Sequence, residues 1–92
     1  MEAANELYLF AMNDFNTYEN AYKPTTKNMD RKIARGTFDK EKAVIAFEHV
    51  ATFAAKRYSS AFCAVPYYIA FSKATREETA KMILSDFMGG VV

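Results

Sequence analysis

Lys23, Lys27, Arg31 and Arg35 recur at every fourth residue. On an α-helix that spacing lines cationic heads along one side, about 6 Å apart along the axis. With Lys32 beside them and Thr25 and Asn28 in the same stretch, the set could contact successive phosphates or an acidic protein surface. It could equally be a solvated helix face balanced by Asp30 and Asp39. Residues 23–42 carry seven bases against Asp30, Asp39 and Glu41, a local balance of +4. Residues 1–22 carry Glu2, Glu6, Asp14 and Glu19 and no Lys or Arg, a balance of −4. The first half of the chain is therefore dipolar, while the net charge of +1 supplies no global pull toward nucleic acid or anionic lipid.

A second candidate surface lies in "VPYYIAFS", residues 65–72. Tyr67, Tyr68 and Phe71 fall in an apolar connector where not all can point inward, and tyrosine buries a large area at small entropic loss. Tyr67 and Tyr68 are read as an interface or, alternatively, as a lid over one end of the core. A homodimer in which a second copy covers Tyr67, Tyr68 and Phe71 is a further reading.

Other chemistries find few residues to work with. The sequence holds one His and one Cys and neither a C-x-x-C nor an H-E-x-x-H pattern, so no metal site and no cofactor are expected. Glu48 and His49 are neighbours in sequence and cannot face one site from a helix. His49 reads as a residue at the edge of the core and Cys63 as a small buried hydrophobe. No nucleophile, base and orienting group converge at recognisable spacing, and the acids lie singly or beside lysines, as Glu77 and Glu78 do near Lys81. The three glycines sit at one helix stop and at the C-terminus, which leaves no phosphate-cradling loop. A binding protein without catalysis is expected.

These residues need elements to position them. A chain of 92 residues, 51% hydrophobic and 15% aromatic, makes one domain with one core. Three Gly and two Pro are too few for a sandwich or barrel of many strands. Tyr8, Ala11, Phe15, Tyr18 and Tyr22, then Met29 and Ile33, step at a helical period and predict one buried face. Pro24 predicts either a kink in one helix or a boundary between two. Gly36 is placed to close a helix and Asp39 to cap the next. Val44, Phe47, Ala51, Ala54, Ala55, Tyr58 and Phe62, with Ala46, Val50 and Phe53 as a second strip, predict a long central helix that Pro66 ends. Thr75 and Glu78 match a capping box, followed by Ala80, Ile83, Leu84 and Phe87 and a stop at Gly89-Gly90. The expected fold is all-α, a compact bundle of about four helices over residues 3–22, 24–35, 40–63 and 76–88. The lone cysteine, the absence of an 18-residue apolar run and the absence of a signal-peptide pattern give a cytoplasmic expectation with no membrane span.

The series Pro24, Lys27-Asn28-Met29, Lys32, Gly36, Phe38-Asp39, Glu41 and Ala43, then Ala54-Ala55-Lys56, Tyr58, Ala74-Thr75-Arg76 and Ala80, resembles a group of small helical proteins encoded by bacteriophages and other mobile elements. The likeness spans residues 18–88, and "GTFDKEKA" is its most specific part. It implies a non-enzymatic binder that blocks a host machine, such as a CRISPR surveillance complex or a restriction enzyme. It assigns no site residue. The leading expectation is such an inhibitor, acting by protein contact through Lys23, Lys27, Arg31, Lys32, Arg35, Tyr67 and Tyr68. A nucleic-acid-binding accessory protein using the stripe at residues 23–35 and a homo-oligomeric structural protein are the alternatives.

Overall fold

The computed structural model describes residues 2–62 and 65–89. Cys63 and Gly90, for which the sequence suggested a buried thiol and part of a helix stop, lie outside the described residues. The fold is all-α: α1 (Glu2–Asn13), α2 (Phe15–Thr17), a π-helical segment (Tyr18–Tyr22), α3 (Lys23–Arg35), α4 (Lys40–Phe62), α5 (Tyr67–Ala70) and α6 (Lys73–Phe87).

The core forms where α1, α4 and α6 pack together. Ala4, Leu7 and Ala11 of α1, Ala43, Phe47, Val50, Ala51, Ala54 and Ala55 of α4, and Ala80, Ile83 and Leu84 of α6 are all buried. Alanine at so many of these positions lets the helix backbones approach closely, while Leu7, Phe47, Ile83 and Leu84 supply most of the apolar volume. A buried polar contact joins α1 to α6: the Thr79 hydroxyl lies 3.1 Å from the Ala4 carbonyl and 3.0 Å from its own helix at Thr75 O. That shared donation satisfies the hydroxyl where water is excluded.

Residues 2–35 divide in two steps, one at Asp14, which the apolar pattern did not signal, and one at the π-turn that ends at Tyr22, beside the boundary expected near Pro24. A straight helix of that length would reach about 50 Å, more than the longest dimension of the molecule, 43 Å. The first step is Asp14, whose backbone is extended (φ −86°, ψ 117°) and whose carboxylate accepts the Thr17 N–H at 3.0 Å as an N-cap. Asp competes with helical hydrogen bonding through such local bonds, which is why the break falls there. The second step is the π-turn, closed by the Lys23 N–H on Tyr18 O. Pro24 then stands in the first turn of α3. It lacks the amide hydrogen and crowds the carbonyl one turn back, and the wider turn just before it accommodates both.

The two steps also rotate the helix face. A turn that takes an extra residue turns everything downstream by about 100°. The single face predicted from Tyr8 to Ile33 is accordingly not one face: Ala11 and Met29 are buried, but Phe15 is 73% exposed, Tyr18 44% and Ile33 45%. Thr17, which the apolar pattern passed over, is fully buried.

The corner between α3 and α4 is formed as read. Gly36 adopts φ +74°, its N–H reaches Ile33 O and the Thr37 N–H reaches Lys32 O, the paired bonds that close a helix on a left-handed residue. Asp39 Oδ1 accepts the Glu41 N–H at 2.9 Å and caps α4. The start of α6 differs from expectation. Ser72 is the N-cap, its Oγ accepting the Thr75 N–H at 3.2 Å, so the helix begins at Lys73 and Thr75 lies inside it. Lys73 and Ala74 are good helix formers, and the earlier serine offers an equivalent cap with one more stabilised turn.

Candidate functional site

The basic stripe rides on α3, which meets the bundle mainly through the buried Met29. The four-residue step overshoots a full turn by about 40°, so the stripe winds by about 120° from end to end. Its members therefore meet different surroundings. Lys27, Arg31 and Arg35 are exposed, and among the described residues none of them has a carboxylate within ion-pair distance. Lys23 is exposed but sits 3.7 Å from Glu19 one turn earlier. Lys32 is half-buried, and its carbonyl holds the Gly36 corner. Lys32 and Arg35 stand in the last turn of the helix, where positive charge is favoured by the helix dipole. Of the five residues, three form an open cationic face and two are partly engaged in holding the fold.

Tyr67 and Tyr68 separate from Phe71. Phe71 is buried, 4% exposed, with its ring edge-on to Tyr58 at 5.1 Å. The chain itself covers it, which corrects the reading of Phe71 as a residue hidden by a second copy. Tyr68 is 59% exposed, next to the exposed Ile69, while Tyr67 is half-buried. Phe62, expected on the buried strip of α4, is 68% exposed at the end of that helix.

Tyr67 also gathers two cations that spacing did not single out. Lys56 Nζ and Arg76 Cζ each lie 5.3 Å from the centre of its ring. Lys56 belongs to α4 and Arg76 to α6, so no sequence period links them, and only the packing of the two helices around α5 brings them together.

The groups with displaced pKa values are explained by packing. Asp14 is held at about 2, first by the hydrogen bonds from Arg57 and then by those from Thr17, against the opposing effect of burial. Arg57 is raised in turn, chiefly by its bond to Asp14. Burial lifts Tyr8 and Tyr22, and the charge of Asp86 adds to both. Among the described residues no group of three His, Cys, Asp or Glu side chains could hold a metal ion, and no helix is long and apolar enough to cross a membrane. His49 is exposed on α4.

Compared with protein families, curated proteins and solved structures, the chain matches none.

Proposed function

We propose that this is a binding protein without catalysis, which engages an acidic surface of its partner through the open face of Lys27, Arg31 and Arg35 on α3. The observation that carries this reading is that three guanidinium and ammonium groups stand exposed on one helix with no carboxylate within ion-pair distance among the described residues. Exposed charged groups without a direct ion-pair partner steer encounter with an oppositely charged partner and fix its register. Met29 seats α3 against the bundle, so the face is presented on an ordered element. The resemblance to phage-encoded proteins supplies the partner class: a host defence or nucleic-acid-processing complex, blocked in the anti-CRISPR or anti-restriction manner.

The test is capture of tagged protein from a bacterial lysate, with and without nuclease, for wild type and for the combined variant Lys27→Glu, Arg31→Glu, Arg35→Gln. Glutamine is chosen at 35 because an acid in the last turn would oppose the helix dipole. A discrete protein complex that survives nuclease and is lost in the variant supports the reading. A complex retained at wild-type yield by the variant removes α3 from the interface. Recovery that vanishes with nuclease moves the stripe to nucleic acid.

A further inference from the structure

The cluster around Tyr67 lies on other elements than α3 and has a chemistry of its own. Arg76 is held in place: its Nε donates to Phe71 O at 3.1 Å and its Nη1 to Thr52 Oγ1 at 3.0 Å, while its Cζ lies over the Tyr67 ring. Lys56, exposed on α4, reaches the same ring. Two like charges thus share one aromatic group, and among the described residues neither has a carboxylate within ion-pair distance. Each cation gains from the ring quadrupole, and each is left with its charge open to an anion. A guanidinium held by two hydrogen bonds and an exposed ammonium on one aromatic ring suit backbone phosphates, the guanidinium setting direction and the ammonium acting as a point charge.

What stands beside the charges narrows the anion. Tyr68 is edge-on to Tyr67 with ring centres 5.6 Å apart, and it is more than half exposed, as is Ile69 next to it. A carboxylate-bearing peptide segment would satisfy the cations and leave that aromatic surface idle. A nucleic-acid strand satisfies both, because its phosphates can meet Lys56 and Arg76 while a base presents a flat face to Tyr68. A base can do this only when it is not paired in a duplex.

We infer that Lys56, Arg76, Tyr67 and Tyr68 form a binding surface for single-stranded nucleic acid, recognised through backbone phosphate and base face, features that DNA and RNA share. The surface is independent of α3, so either can fail without the other.

The test is fluorescence anisotropy with labelled dT and rU oligonucleotides of equal length, a duplex of the same length, and the full chain. Two phosphate contacts to a single strand give a log–log salt slope of about −1.4. Lys56→Glu is expected to weaken binding at least about tenfold, and Tyr68→Ala about fivefold or more, as for loss of one stacked base. Lys42→Glu makes the same charge change in the first turn of α4, about 20 Å along the helix from Lys56, and is expected to stay within about twofold of wild type. Both test positions are exposed, and circular dichroism verifies that each variant is folded. Tighter binding of dT than of rU, or the reverse, identifies which strand the surface takes. Failure to bind either strand overturns the inference, as does equal affinity for the duplex. Competition by polyglutamate at matched charge would do so too, and so would loss of binding in the α3 variant with Lys56→Glu unaffected.

Discussion

Arg57 grips Asp14 across 43 positions of sequence, Nε to Oδ2 at 2.5 Å and Nη2 to Oδ1 at 3.1 Å. The same carboxylate caps α2 through the Thr17 N–H at 3.0 Å and accepts the Thr17 hydroxyl at 2.7 Å. One side chain therefore ends α1, starts α2 and fastens both to the middle of the bundle. The two-pronged geometry and the low exposure of Asp14, 13% for its side chain, set this pair apart from an ordinary surface ion pair.

The pair gives a pH signature. Asp14 titrates at about 2 in the fold, below its ordinary 3.8. Its stabilisation is complete above the unfolded value and is lost as pH falls through the window from about 4 to about 2. Arg57 is partly open to solvent, so the contribution is discounted to about 1–2 kcal/mol. Urea denaturation at pH 7 and pH 3 checks this: Asp14→Asn should be less stable than wild type at pH 7 by about that amount, and the gap should close at lower pH. A gap that is constant with pH would show that the charge contributes nothing.

The N-cap of α6 is a sharper local test. Ser72→Ala removes the acceptor for the Thr75 N–H and should cost about 1 kcal/mol. Thr75→Ala keeps that bond and should cost less. The reverse order in thermal denaturation would restore Thr75 as the cap.

Phe47 joins two ends of the aromatic packing, with ring centres 6.3 Å from Tyr22 and 5.7 Å from Phe87. It is fully buried where α4 is flanked by small residues. Phe47→Ala should destabilise by about 3–5 kcal/mol, a large share of the stability of a domain this size. Phe47→Leu should retain cooperative unfolding at a smaller cost, measured by urea midpoint.

At Gly36 the backbone alone is under test. A Cβ there would meet nothing within 4 Å, yet φ is +74°. Gly36→Ala should cost about 1–2 kcal/mol through conformation, and Gly36→Asn less, since Asn tolerates the left-handed region. Equal stability of wild type and the alanine variant, by thermal denaturation, would mean that the corner can rearrange without strain.

Much of the fold was legible because the signals were local. Gly36 and Asp39 mark the α3–α4 corner by chemistry that acts within five residues. The alanine-rich strip of α4 announces a central helix because nothing interrupts its period over residues 40–62. The face of residues 2–35 was misread for the opposite reason. Asp14 and the π-turn each shift the register, and a shift of one residue moves Phe15, Tyr18 and Ile33 to solvent while burying Thr17. Neither event leaves a strong mark in the apolar pattern, since Asp is at home on any exposed helix face and Tyr18–Tyr22 reads as ordinary helix.

The candidate surfaces divide in the same way. The stripe at Lys27, Arg31 and Arg35 follows from a period within one helix, so the sequence alone determined it, along with the all-α class and the α3–α4 corner. Whether each cation stands open, as Lys27 does, or partly engaged, as Lys23 is with Glu19, depended on how the helix turned before reaching it. The cluster of Lys56, Arg76 and Tyr67 and the grip of Arg57 on Asp14 were decided by tertiary structure alone. Their members lie on different helices, and the distances between them are set by the packing of α1, α4 and α6, a sum of many weak contacts that no short stretch of sequence contains.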